Sequence, residues 1–80
     1  MQMLDEVIEL GERGIVLLCV EGDARPGMKI RDARGNVHAV ASVAEQDGLL
    51  TLHLPEGDAA YFGRLFRDVR VDALYFEEVC

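Results

Sequence analysis

The chain has 80 residues, half of them apolar, and fifteen Asp and Glu against eight Lys and Arg give it a formal net charge of −7. This length suits one domain spanning residues 1–80, and the apolar content excludes a disordered segment. Binding to nucleic acid usually requires a positive surface that displaces counterions. The acidic balance therefore disfavours RNA or DNA as a partner, although it does not exclude them.

The two cysteines and the N-terminal composition bear on the cellular compartment of the protein. Cys19 lies in an apolar run and Cys80 is the last residue, and the pair has no CxxC spacing. We expect a buried free thiol at Cys19 and a reducing environment. The N-terminus carries early acids rather than a basic segment, and no apolar run approaches membrane-spanning length. The sequence thus predicts a cytoplasmic protein without membrane contact.

The first part of the chain consists of short apolar runs separated by glycines. Residues 3–10 alternate loosely, with Ile8 among the residues of the apolar side. Helical spacing is also possible here, but Gly11 follows so closely that a strand and a turn are favoured. Gly14–Glu21 is almost wholly apolar and rich in β-branched residues. That pattern is typical of a central strand covered on both faces.

The middle of the chain predicts a series of hairpins. The turn signal Arg34-Gly35-Asn36 lies between residues 28–33 and 37–45, which we expect to pair as one hairpin, with Met28 and Ile30 facing inward. Asp47-Gly48 marks another hairpin turn. Leu49–Leu54 then alternates cleanly between Leu and polar residues, as a half-buried strand does.

The last third of the chain predicts a short helix followed by extended structure. A short helix is predicted near residues 58–67, with Asp58 as its N-terminal cap and Arg67 at its end. In this helix Phe62, Leu65 and Phe66 form one apolar stripe. Val69–Val79 returns to an alternating pattern. The predicted fold is therefore all-β, with about six strands and one short helix. A small closed or nearly closed antiparallel β-barrel would remove the exposed strand edges.

The opening segment resembles the second domain of translational GTPases such as elongation factor Tu. The resemblance covers about the first 30 residues and is carried by Leu4–Val7, Gly11–Val16, Val20–Gly22 and Gly27–Ile30. It implies the barrel fold of that domain. In the family, the barrel docks to ribosomal RNA, to the aminoacyl end of tRNA or to neighbouring domains.

The chain also departs from that family. The phosphate-binding Gly-Lys-Ser/Thr signature is absent, so the resemblance implies neither GTP hydrolysis nor nucleotide binding. Leu18 stands where many members have Gly, and residues 57–67 are more helical in pattern than the family's usual connection. No side chain that makes the family's contacts can be matched here, and none is transferred.

The residue types that carry chemistry are scattered. His38, His53, Cys19 and Cys80 could supply metal ligands, but a zinc site needs converging, closely spaced pairs. The apolar neighbours of Cys19 argue against an activated thiol, and no carboxylate has an apolar context suited to acid–base work. We therefore expect no catalysis, no metal and no cofactor; an enzyme would need a deep pocket holding one of the two histidines.

The one local concentration of positive charge predicts an interaction surface. Arg64, Arg67 and Arg70 lie beside Tyr61, and Arg and Tyr are enriched at binding hot spots. The alternative is that the aromatic residues only plug one end of the barrel while the arginines face solvent, partly neutralised by Asp68. We expect a non-catalytic binding module that docks to a protein or self-associates through this segment or an uncovered barrel face. The alternative is an RNA- or ribosome-associated protein.

Overall fold

A computed structural model describes residues 1–68 and 74–79, which form two antiparallel sheets and one α-helix. The mostly β architecture predicted from the sequence is confirmed. The elements in chain order are β1 (Gln2–Glu9), a 3₁₀ turn (Gly11–Arg13), β2 (Ile15–Glu21), β3 (Lys29–Arg31), β4 (Val37–Ala39), β5 (Ser42–Gln46), β6 (Leu49–Leu54), α1 (Ala59–Asp68) and β7 (Glu77–Val79).

The first sheet has four strands in the order β1-β2-β6-β5. The strand Leu49–Leu54 predicted from its alternation is confirmed as β6, which pairs with both β2 and β5. The turn between β5 and β6 has positive φ at both central residues, 53° at Asp47 and 82° at Gly48. Such a turn matches the right-handed twist of the strands it joins, which is why Asp-Gly marks a hairpin.

The second sheet has three strands in the order β4-β3-β7. The hairpin predicted around Arg34-Gly35-Asn36 is confirmed by the pairing of β3 with β4, and Met28 and Ile30 are buried as expected. The predicted strand 37–45 is divided, however, into β4 and β5, which belong to different sheets. The described chain therefore has seven strands rather than six.

Backbone hydrogen bonds join the two sheets at two places. Between β4 and β5, the Val40 amide donates to Met28 of the second sheet and the Ala41 amide donates to His53 of the first, each at 2.9 Å. On the other side, Gln2 of β1 forms an isolated antiparallel bridge with Tyr75, just before β7. Strand pairing itself defines two sheets, and a single closed barrel is not found.

The core lies between the sheets and α1. The predicted stripe on the helix is confirmed, because Phe62, Leu65 and Phe66 are all buried, and the Asp58 carboxylate accepts the Ala60 amide at 2.9 Å as an N-terminal cap. The remaining buried apolar side chains come from both sheets and the loops beside them: Met3, Ile15, Leu17, Cys19, Met28, Ile30, Val40, Leu52, Leu54 and Phe76.

Two predictions for the first sheet were wrong. Ile8 does not lie on the buried side of β1 but is 41% exposed. Met3 pairs with Cys19 and Val7 with Leu17, so that residues 4–6 of β1 lie opposite the single residue Leu18 of β2. This even shift keeps the alternation in phase, and because Met3 and Val7 both face inward, Ile8 faces outward.

The second wrong prediction concerns β2, which was expected to be covered on both faces. It does lie in the centre of its sheet, between β1 and β6, but its residues alternate between buried and partly or fully exposed positions. Only the inner face is covered by the described part of the chain. The position directly before β2 requires glycine, since a Cβ at Gly14 (φ 91°) would lie 2.2 Å from the Leu54 carbonyl oxygen.

The predicted extended segment Val69–Val79 is described only from residue 74 onward. Its last residues form β7, as expected for extended structure, while residues 69–73 lie outside the described residues. Cys80 lies outside them as well. The predicted burial of the Cys19 thiol is confirmed.

Candidate binding surfaces

The described residues of the interaction surface predicted from the sequence differ in their surroundings. Tyr61 is half-buried and its hydroxyl is bonded to the β3–β4 hairpin, whereas Arg64 and Arg67 are exposed. Arg70 lies outside the described residues. Asp68, expected to offset the helix arginines, instead pairs with Arg34 at 3.4 Å. The structure thus engages Tyr61 in a polar network, while Arg64 and Arg67 stay exposed.

That network is centred on Asp32, whose carboxylate is fully buried at the start of the β3–β4 turn. One carboxylate oxygen accepts the backbone amides of Arg34 and Asn36, at 2.9 and 3.0 Å. The other accepts the Tyr61 hydroxyl and lies 2.8 Å from Nε2 of His38. Four donors therefore satisfy one buried carboxylate, which is how a buried charge becomes tolerable.

The same bonds set the protonation of the network. Burial alone raises the pKa of Asp32, but the hydrogen bonds from His38, Tyr61 and the two turn amides outweigh it, so the pKa lies below its ordinary value. Burial, followed by the bond to Asp32, raises the pKa of Tyr61. At neutral pH the carboxylate is ionised and the phenol is protonated, as the bond between them requires. The side-chain amide of Asn36 also donates a hydrogen bond to the Tyr61 hydroxyl, at 2.7 Å.

A surface depression of about 300 Å³ lies beside this network. His38 and Tyr61 line it together with the chain between β6 and α1, which includes Glu56 and Asp58. Because Nε2 of His38 is bonded to Asp32, the pair has the arrangement that supports a general base. The residues that line the depression include no Ser, Thr or Cys that such a base could activate as a nucleophile.

The other residues considered for metal or thiol chemistry lie apart from one another. His53 lies on the opposite face of β6 from the core and is bonded through Nε2 to the Arg13 carbonyl oxygen at 2.7 Å. Burial raises the pKa of the Cys19 thiol, which disfavours the reactive thiolate. Within residues 1–68 and 74–79, no three His, Cys, Asp or Glu side chains converge as metal ligands do.

A second candidate surface is the outside of the four-stranded sheet. The register aligns Val16 with Ile8, and Leu18 with Thr51, on the side of the sheet away from the core. Val20 follows on the same side and is 38% exposed. We call the apolar residues of this side the apolar outer face, and they are Ile8, Val16, Leu18, Val20 and Leu49.

The apolar outer face has a definite shape. Ile8, Leu18, Leu49 and Thr51 surround a depression of about 210 Å³, with Asp47 at its border. Single exposed apolar side chains are ordinary on a protein surface, but a contiguous set across three neighbouring strands is typical of an interaction site. One signal in the sequence could have identified it, because Ile15–Val20 is apolar at every position and a single core covers only every second one.

The Asp32 network, in contrast, had no recognisable signal in the sequence. Asp32 and Tyr61 are 29 positions apart, and only the docking of α1 onto the hairpin brings them together.

Comparisons with protein-family models, curated proteins and solved structures find no match. The one α-helix of the described chain has ten residues, and no described helix is long and apolar enough to cross a membrane.

Proposed function

We propose that the chain is a non-catalytic binding module that docks to a protein through the apolar outer face. The observation that supports this most directly is the exposure of apolar side chains on three adjacent strands, β1, β2 and β6. Water contact with apolar surface is unfavourable by about 25 cal/mol per Å². A partner that covers these side chains would therefore gain binding free energy without any change in the fold.

The proposed scaffold is a nearly closed barrel similar to the second domain of translational GTPases. Two features support it: the chain continues from β4 in one sheet directly into β5 in the other, and β1 meets the segment before β7 at the Gln2–Tyr75 bridge. In such a barrel the core is internal, and every outward-facing residue of β2 is available for contact. A nucleotide site forms no part of this proposal.

The absence of catalysis also belongs to the proposal. The His38–Asp32 pair beside the depression is the arrangement most similar to an active site. Its carboxylate, however, is already engaged by Tyr61 and two turn amides, which suits a network that fixes α1 on the hairpin. We propose a cytoplasmic location as well, supported by the buried free thiol of Cys19.

Association with RNA or the ribosome is the second candidate, and the exposed Arg64 and Arg67 are the observation that favours it. Two arginines of the β3–β4 hairpin are engaged in ion pairs, Arg31 with Glu77 at 3.4 Å and Arg34 with Asp68. Each such pair reduces the positive potential available to phosphates. A protein partner is therefore the better supported proposal.

Site-specific photo-crosslinking in the cells of origin tests the proposal. A benzophenone amino acid replaces Val20 on the apolar outer face or, as the matched control, Val37, which is 48% exposed in the other sheet. We expect a discrete, nuclease-resistant protein adduct from position 20 and none from position 37. Adducts to RNA, equal adducts from both positions, or no adduct from position 20 would each overturn the proposal.

A further inference from the structure

We propose that the apolar outer face binds an amphipathic segment whose apolar side chains are flanked by Lys or Arg residues. The inference rests on the proposed docking function and identifies the partner by its chemistry. Three observations carry it: the charge of the four-stranded sheet, the position of acids around the apolar outer face, and the ion pairs that three arginines form with acids elsewhere in the molecule.

The strands of the four-stranded sheet are apolar and acidic, and the cation nearest to them in the sequence is Arg13, in the turn between β1 and β2. The strands β1, β2, β5 and β6 contain no Lys or Arg. They contain five acids, all of them exposed: Asp5, Glu6, Glu9, Glu21 and Glu45. A surface of one sign favours partners of the opposite sign and raises their rate of association.

Acidic side chains also border the apolar residues directly. Asp47 lines the depression of about 210 Å³ together with Ile8 and Leu18. Glu6 precedes Ile8 by two positions in β1, which places both residues on the same side of the strand. An apolar centre with a charged border is the usual organisation of a protein interface. Here the border is negative.

Three of the cations that lie outside the four-stranded sheet are engaged with local acids. Arg25 pairs with Glu78, Arg31 with Glu77, and Arg34 with Asp68. These three pairs connect loops, the second sheet and α1. In the part of the chain that the structure describes, no ion pair involves an acid of the four-stranded sheet. Those acids keep their charge for an outside partner.

The charge distribution also decides against other occupants. A second copy docked face to face would bring the same acidic border against itself, and like charges across an interface cost free energy. Phosphate groups of nucleic acid would be repelled for the same reason. A basic amphipathic segment both covers the apolar centre and pairs with the border.

The test is a titration of the isotope-labelled chain with two synthetic probes, monitored by amide NMR shifts. One probe is an amphipathic peptide of Leu and Lys, and the other is its matched peptide of Leu and Glu. We expect the Leu–Lys peptide to bind at least about tenfold more tightly at 50 mM salt, and to weaken several-fold at 300 mM. Shifts should concentrate at Ile8, Leu18, Val20 and Thr51.

Variants establish which residues are responsible. Leu18→Thr keeps a strand-compatible side chain and should weaken binding about fivefold or more, as expected at an interface centre. Ile8→Thr, at the sheet edge, provides a second variant if Leu18→Thr loses the dispersed spectrum of a folded chain. Asp47→Asn combined with Glu6→Gln should reduce the salt dependence, whereas Glu77→Gln, the control in the other sheet, should leave binding unchanged.

The outcomes separate this inference from the proposed function. Equal binding of the two peptides, or a dimer whose contact maps to the apolar outer face, would refute the basic partner while leaving docking by that face intact. Shifts confined to α1 or the second sheet would refute both. A cross-link to a protein from position 20, together with no preference for the Leu–Lys peptide, would again refute only the basic partner.

Discussion

The two halves of the molecule use their polar and apolar residues in opposite ways. In the four-stranded sheet, β2 is apolar on both sides, and the apolar outer face is left open. In the half made of β3, β4, β7 and α1, polar groups bond to one another: Asp32 has four donors, and three arginines have acidic partners. The second half thus joins polar groups to one another within the described chain, whereas the first leaves a contiguous set of apolar side chains open.

This difference separates structural from binding roles. Groups that satisfy each other within the fold contribute to stability, and their loss should be visible in unfolding measurements. Groups exposed on an apolar surface contribute little to stability, and their loss should be visible only when a partner is present. The following predictions test that division, from the largest expected effect to the smallest.

Neighbouring residues of β2 should respond very differently to truncation. Leu17 is fully buried and Leu18 is partly exposed on the apolar outer face. We expect Leu17→Ala to lower the free energy of unfolding by about 2–5 kcal/mol, because it leaves a cavity in the core. Leu18→Ala should cost less than about 1 kcal/mol. Urea denaturation of the two variants measures both values, and similar costs would mean that the outer side of β2 is structural.

The Asp32 network should be the main polar contribution to stability. We expect Asp32→Asn to cost about 1–3 kcal/mol, because the amide group cannot accept from all four donors of the carboxylate. The pKa of Asp32 is lowered in the folded chain from an ordinary value of 3.8, so its contribution is complete above that pH and is lost as the pH falls through the folded value.

Acid unfolding distinguishes this network from simple packing. Wild type should lose stability below pH 3.8 more steeply than Asp32→Asn does, in urea titrations at a series of pH values. Glu45→Gln, an exposed acid of β5, serves as the control and should retain the wild-type slope. A parallel decline in Asp32→Asn and wild type would show that the carboxylate is not stabilised by folding.

Tyr61→Phe should have a smaller effect of about 1 kcal/mol, because it keeps the ring and, of the two hydrogen bonds it removes, the one from the exposed Asn36 side chain can be replaced by water. The folded pKa of Tyr61 is raised above 10.0, so its contribution is present below that pH and is lost as the pH rises through the folded value. Chemical denaturation between pH 8 and 11 should therefore show a steeper alkaline loss in wild type than in Tyr61→Phe. An identical alkaline slope would place the hydroxyl outside the network.

Arg34→Ala should have the smallest effect, within about 0.5 kcal/mol, because the pair with Asp68 spans 3.4 Å between two well-exposed side chains. Thermal unfolding of this variant at low and high salt checks the expectation. A cost above about 1 kcal/mol that disappears at high salt would indicate that the surface ion pairs hold α1 on the hairpin.

Much of the local structure could be predicted because it depends on neighbouring residues. The Asp47-Gly48 turn requires residues that accept positive φ, and the alternation of Leu49–Leu54 determines which side of β6 is buried. The stripe of Phe62, Leu65 and Phe66 likewise determines which side of α1 faces the core. In each case the residues that cause the local structure lie within a few positions of one another.

The errors occurred where local pattern leaves two choices. The division of the predicted strand 37–45 depends on a change of partner, from Met28 at Val40 to His53 at Ala41. The outward position of Ile8 depends on which side of β1 meets the core, and that side carries Met3 and Val7. Neither the pairing partner nor the buried side is contained in the strand itself, since alternation has the same period for every pairing.

The sequence by itself determined the strand-rich class, the hairpin turns, the buried helix stripe and the acidic character of this chain. Only the tertiary structure decided which face of β2 is left open and that Asp32, His38 and Tyr61 meet. The physical reason is distance along the chain. Turns and stripes arise from residues within about one helical turn of each other, whereas Asp32 and Tyr61 lie 29 positions apart and are joined by the packing of α1 on the hairpin.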